Sequence, residues 1–86
     1  MERDRVIYGF PKNLEEEVRF SLRTYKERYY LDLRLWFQAS KGGEYHPTKK
    51  GLTLGVEFFQ ELKKGLGRAE KVISELPLQE TSNSLK

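Results

Sequence analysis

The 86-residue sequence contains no cysteine, which excludes a disulfide framework, a thiolate metal site and a cysteine nucleophile. It contains one histidine, His46. A histidine-based metal site needs a second nitrogen or sulfur ligand, and none exists. No serine or aspartate stands around His46 in a spacing that points to a triad, although triads are recognised by geometry rather than chain order. There is no apolar run of bilayer-spanning length. Residues 1–5 alternate acid and base and lead into no apolar stretch, so neither a secretory signal nor a membrane anchor is expected. Gly65-Leu66-Gly67 lacks the third glycine and preceding strand of a dinucleotide loop, and no phosphate-loop pattern occurs. Glu27, Asp32 and Glu44 sit among lysines and arginines that keep them ionised, which makes them poor proton donors. A non-enzymatic intracellular protein without metal or cofactor is expected.

What the chain does hold is charge, unevenly spread. The net charge is only +3, but from Arg19 to Lys50 eight basic residues face three acids, a local net of +5, while the remainder carries −2. The positive potential therefore belongs to the middle of the chain, and an acidic polymer is the expected partner. Eighty-six residues bury only a thin core, so help from a second subunit is expected.

The middle segment reads as a β-hairpin of Glu17 to Tyr25 and Arg28 to Trp36, turning at Lys26-Glu27. A two-residue loop fixes the register, and side chains alternate between faces. One face collects Val18 with Leu35, Phe20 with Leu33, Leu22 with Leu31, and Thr24 with Tyr29. The other collects Glu17 with Trp36, Arg19 with Arg34, Ser21 with Asp32, Arg23 with Tyr30, and Tyr25 with Arg28. Two arginines directly across a ladder repel unless a carboxylate or a phosphate lies between them. Half-solvated sheet faces are ordinary. Rings standing among arginines on such a face are not, and stacking rings interleaved with cations are what unpaired nucleic acid requires. Duplex binding is less apt, since the helix described below carries acids among its lysines and cannot serve as a basic reading element.

Around the hairpin, residues 1–14 read as an N-terminal arm with Val6-Ile7-Tyr8 as a short extended piece, broken at Gly9-Phe10-Pro11. Glu44 to His46 form a short third strand that Pro47 ends or confines to an edge, and Leu52-Thr53-Leu54 form a fourth. A helix opens near Gly55 and Val56, with Glu57 in its first turn where negative charge suits the dipole. Phe59, Leu62, Leu66, Ala69, Ile73 and Leu76 give an apolar stripe of helical period. That stripe is wide enough to cover the greasy sheet face and still offer surface to a second subunit. Gly65 and Gly67 predict a bend near Leu66, each costing up to roughly 1 kcal/mol relative to alanine. Pro77 ends the helix, and residues 77–86 read as a tail.

Three stretches together resemble the conserved domain of the transcriptional coactivator positive cofactor four: Val18 to Lys26, Tyr30-Leu31-Asp32-Leu33-Arg34, and His46-Pro47-Thr48-Lys49-Lys50-Gly51-Leu52-Thr53-Leu54. The likeness spans about residues 16–76 and implies an α+β fold, a curved four-stranded antiparallel sheet followed by a C-terminal helix, dimerising through the helices. It implies channels that hold separated DNA strands, lined by Arg23, Tyr25, Lys26, Arg28, Arg34, Phe37, His46, Pro47, Lys49, Lys50 and Gly51. Register adds Arg19 and places Trp36 on the wet face where the resemblance favours Phe37; a bulge near Leu35 would reconcile the two. Phe59, Leu62, Leu66, Ala69 and Ile73 are the expected dimer contacts. Glu27 replaces the glycine on which such proteins usually turn, His46 replaces a frequent lysine, and the serine-rich regulatory segment of the eukaryotic coactivator is absent.

The expectation is thus a homodimeric single-stranded DNA-binding protein of the short microbial form, cytoplasmic or nucleoid, acting in transcription regulation, with the transcription machinery a further partner and no membrane. An RNA-binding module and a protein-interaction module docking an acidic partner are the rivals.

Overall fold

The computed structural model describes residues 4–77. Its centre is the hairpin: β2 (Glu16–Tyr25) and β3 (Arg28–Gln38) pair antiparallel in the register read from the sequence, Val18 with Leu35, Arg19 with Arg34, Ser21 with Asp32. Lys26 and Glu27 close it, with φ of 49° and 65°. Positive φ at both central residues is the geometry of a type I′ turn, whose twist matches that of the strands. The tight turn thus forms without the glycine that the resemblance implies at 27, against a left-handed penalty of ~1 kcal/mol or more for each non-glycine residue.

The sheet has four antiparallel strands in the order β1-β2-β3-β4 and is curved. β1 (Arg5–Pro11) comes from the arm and is longer than the extended piece expected there. Its pairing with β2 shifts between Val6 and Tyr8, so Val6 sits opposite Ser21 while Tyr8 and Phe10 sit opposite Phe20 and Val18. One inserted residue, Ile7, therefore sends the two ends of β1 to different faces of the sheet. Tyr8 packs its ring 5.7 Å from that of Phe20 and 6.2 Å from that of Phe10.

β4 (Tyr45–Gly55) corrects the expectation of two short strands, because it runs continuously through Pro47. Pro47 is tolerated because β4 is an edge, and because its pairing with β3 shifts between Arg34 and Trp36. Across that shift β3 advances two residues and β4 four, from Gly51 to Pro47. Thr48 mends the ladder there: its hydroxyl donates to the Leu35 carbonyl at 2.8 Å and accepts the Lys50 N–H at 3.1 Å. Beyond the bulge, at Gly51, the strands run so close that a Cβ would meet the Leu33 carbonyl oxygen at 2.7 Å and Arg34 Cα at 2.9 Å.

A 3-10 turn, Val56–Phe58, leads directly into α1 (Phe59–Ser74). The bend expected near Leu66 is absent, and α1 is continuous through Gly65 and Gly67. Good helix formers such as Leu62, Lys63, Leu66 and Ala69 carry the helix across both glycines. The expected roof is also missing. α1 packs against the 3-10 turn and does not fold back over the greasy sheet face, because no loop separates β4 from the helix in which the chain could reverse. The molecule measures 45 × 36 × 18 Å, one sheet layer thick, and no apolar side chain among the described residues is fully buried. The tail expected for residues 77–86 lies, beyond Pro77, outside the described residues.

Candidate nucleic-acid interface

The only residues classed as buried among those described are Ser21 and Asp32, 6% and 2% exposed, and both stand on the basic face. They form the floor of a groove of about 620 Å³ whose walls include Asp4, Arg5, Val6, Arg23, Arg34, Trp36, Pro47, Thr48 and Lys49. Strand alternation delivers Ser21, Arg23, Asp32, Arg34 and Trp36 from β2 and β3, the bulge delivers Pro47 to Lys49, and the shifted end of β1 closes the side.

Asp32 and Arg34 lock the floor. Arg34 donates through Nε and Nη2 to the two oxygens of Asp32 at 3.0 and 2.9 Å, and its Nη1 donates to the Thr48 carbonyl at 2.9 Å. The Thr53 hydroxyl donates to Asp32 at 2.5 Å and accepts from Arg34 at 3.2 Å. Burial pushes the Asp32 carboxyl up, but hydrogen bonds from Arg34 and Thr53, with the charges of Arg34 and Arg23, outweigh it and hold the group below its ordinary value. Hydrogen bonding to Asp32 correspondingly raises Arg34. The predicted clash of Arg19 with Arg34 is relieved by two carboxylates rather than one. Arg34 has Asp32, and Arg19 donates to Glu17 at 2.9 Å. Arg19 also lies over the rings of Trp36 and Tyr45, at 4.5 and 5.0 Å, so a cation covers the indole. Ser21 Oγ and Trp36 Nε1 are buried without a hydrogen-bond partner in the described residues. Buried polar atoms ordinarily find a partner.

The groove brings together Arg23, Arg34, Trp36, Pro47 and Lys49 of the expected site residues. Gly51 pairs with Arg34 beside it. Tyr25 joins Arg23, Tyr30 and Thr53 in an adjoining recess of about 310 Å³, with Lys26 Nζ 5.4 Å from the Tyr25 ring. Arg28 borders a third recess with Tyr30 and Glu57. Phe37 and His46 pair with one another across β3 and β4, on the face opposite Trp36. The bulge near Leu35 does not reconcile the two rings, because β4 rather than β3 carries the extra residues. Lys50 is exposed on β4. Glu16 is lowered chiefly by its hydrogen bond from Asn13, 2.7 Å long, with Lys12 and Lys50 contributing and burial opposing.

Asp4, Arg5 and Val6 are groove residues that sequence reasoning missed, along with Ser21 and Thr48, and Thr53 of the adjoining recess was missed as well. The β-branched run at Val6-Ile7 was the available signal for the strand. Nothing in the sequence announces that Asp4, just before its start, lies beside Arg23, nineteen positions away. Among the described residues no cluster of three or more metal-ligating side chains occurs, and no helix is long and apolar enough to cross a membrane.

These features define an α+β protein in which a curved antiparallel sheet presents a basic, aromatic groove and a helix trails from its last strand. The model of the family described as Transcriptional Coactivator p15 (PC4) matches residues 12–65, and the chain belongs to that family. The crystal structure of a PC4 homolog from Burkholderia pseudomallei in its tetragonal form is similar at 28% identity and a TM-score of 0.72, over 79% of this chain and 98% of that one. The orthorhombic form gives 29% identity and 0.70, over 77% and 88%. No curated protein matches the chain.

Proposed function

We propose that the protein is a homodimeric single-stranded DNA-binding protein that holds melted strands during transcription, in a coactivator-like role, in the cytoplasm or nucleoid of a microbial cell. The observation that carries this is the groove: Arg23, Arg34, Trp36 and Lys49 converge on one hollow of the sheet, built around the buried Asp32 and the Arg34 guanidinium paired with it. A groove lined by cations and rings takes unstacked bases and their phosphates without demanding a sequence. Family membership supports a place in transcription.

Dimerisation follows from what the single chain leaves open. Phe59, Leu66 and Ile73 on the helix and Tyr8, Phe10 and Leu52 on the sheet are all more than 40% exposed. Apolar surface of this extent is covered in a stable protein. A second copy, its helix stripe of Phe59, Leu62, Leu66, Ala69 and Ile73 against the first, supplies the cover that the chain's own helix does not. In this reading Arg19, Arg23, Lys26, Arg28, Lys49 and Lys50 follow the backbone, Tyr25 and Trp36 take bases, Gly51 and Pro47 shape the wall, and Arg34 holds the floor. Phe37 and His46, on the opposite face, lie outside this groove.

A competition gel shift tests the proposal. A single-stranded oligonucleotide should displace the probe at far lower concentration than a duplex of equal length. Equal competition overturns the preference, and a ribo-oligomer that outcompetes its deoxy counterpart moves the function to RNA.

A further inference from the structure

Of the four arginines on the basic face of β2 and β3, Arg19, Arg23 and Arg34 each carry a carboxylate, but not equally. Arg34 and Asp32 are 18% and 4% exposed at their side chains, Arg19 and Glu17 22% and 28%, and Arg23 and Asp4 49% and 50%. The first pair is locked from several sides, and in the second Arg19 lies over two rings. The third is a single contact of 3.3 Å, from Arg23 Nε to Asp4, at the open end of the groove. Asp4 is held there by its other oxygen, which accepts the Thr24 backbone N–H at 3.1 Å.

We propose that Asp4 is an internal stand-in for a phosphate, occupying the position on Arg23 that a phosphodiester takes when a strand enters, and so sets the affinity of the groove. This rests on the single-stranded DNA reading above. The chemistry matches: a carboxylate and a phosphodiester each present an anionic oxygen to guanidinium N–H donors. Of the three carboxylates, only Asp4 is exposed enough to be displaced without unpairing a buried charge. Displacement exchanges one anion for another on Arg23 and leaves the Thr24 N–H to solvent or to a phosphate oxygen.

Asp4→Asn separates the two roles, since its amide oxygen can still accept from Thr24 while its charge is gone. The expected result is tighter binding of a short oligodeoxythymidine, by about two- to fivefold at low salt, the range of an exposed ion pair. The log-log salt dependence should steepen by roughly 0.7, one further phosphate on a single strand. In an Arg23→Ala background the same substitution should give no gain, and Glu70→Gln on the remote helix should give much less than Asp4→Asn. Thr24 amide exchange should also quicken or its resonance shift when the oligonucleotide binds wild type. Wild type that binds while Asp4→Asn binds no tighter, or a gain that survives Arg23→Ala, overturns the stand-in and leaves the function intact. Failure of wild type to bind overturns the function itself.

Discussion

Removing the Asp32 carboxylate is the sharpest test of the groove floor. In Asp32→Ala, Arg34 loses two hydrogen bonds of 2.9 and 3.0 Å and Thr53 one of 2.5 Å, while the guanidinium stays where it is. Breaking a buried pair by deleting one member costs about 3–5 kcal/mol, because the remaining charge is left uncompensated. Arg34 keeps the Thr48 carbonyl and is partly solvated, which places the cost near the lower end, about 3 kcal/mol. With a urea m-value of about 1 kcal/mol/M for a small domain, the midpoint should fall by about 3 M. Equilibrium unfolding at fixed protein concentration measures it, fixed because association adds to stability. Asp32→Asn, which keeps an acceptor but no charge, should lose less. The sign with pH follows from the depressed carboxyl: its contribution is complete above the unfolded value of about 3.9 and is lost as pH falls below that, through the folded value. The deficit of Asp32→Asn relative to wild type should therefore shrink as the medium is acidified from pH 6 to pH 3. An Asp32→Ala protein within about 0.5 kcal/mol of wild type, the scatter of ordinary surface substitutions, would refute the lock.

Glu27→Gly should stabilise the chain by about 1 kcal/mol, since glycine takes the left-handed φ of 65° without penalty; a lowered urea midpoint would show that the turn carries no strain. Gly51→Ala should cost about 1–3 kcal/mol through the clash of its Cβ with the β3 backbone, read by the same unfolding curves. Lys49→Ala with Lys50→Ala should weaken single-strand binding and flatten the log-log salt slope by roughly 1.4, two phosphates' worth; unchanged affinity would favour a protein-docking surface instead. Leu66→Asp with Ile73→Asp should reduce the solution mass to that of one 10.2 kDa chain by light scattering, and a retained dimer would move the interface off the helix.

The hairpin was legible in the residues because its constraint is local. A two-residue turn and a side-chain period of two leave one register in which Val18, Phe20 and Leu22 share a face, and that register puts Trp36 rather than Phe37 beside Arg34. The helix stripe was legible for the same reason, from its 3.6-residue period. What the residues could not announce were the events that depend on a distant strand. The insertion at Ile7 turns Val6 into the groove. The extra length of β4 at Thr48 to Lys50 aims Lys49 there, and Gly51 is needed only because β3 lies so close. The single-sequence view anticipated that opposed arginines need an anion. Only the folded chain decided that Arg19 and Arg34 would each have its own carboxylate, and that Arg23 would draw one from nineteen residues away. It also decided that the helix would stand clear of the sheet, because a reversal needs a loop, and none separates Gly55 from the 3-10 turn. Alternation and periodicity are properties of neighbouring residues, whereas burial, ion pairing and the direction in which a helix departs are set by three-dimensional arrangement.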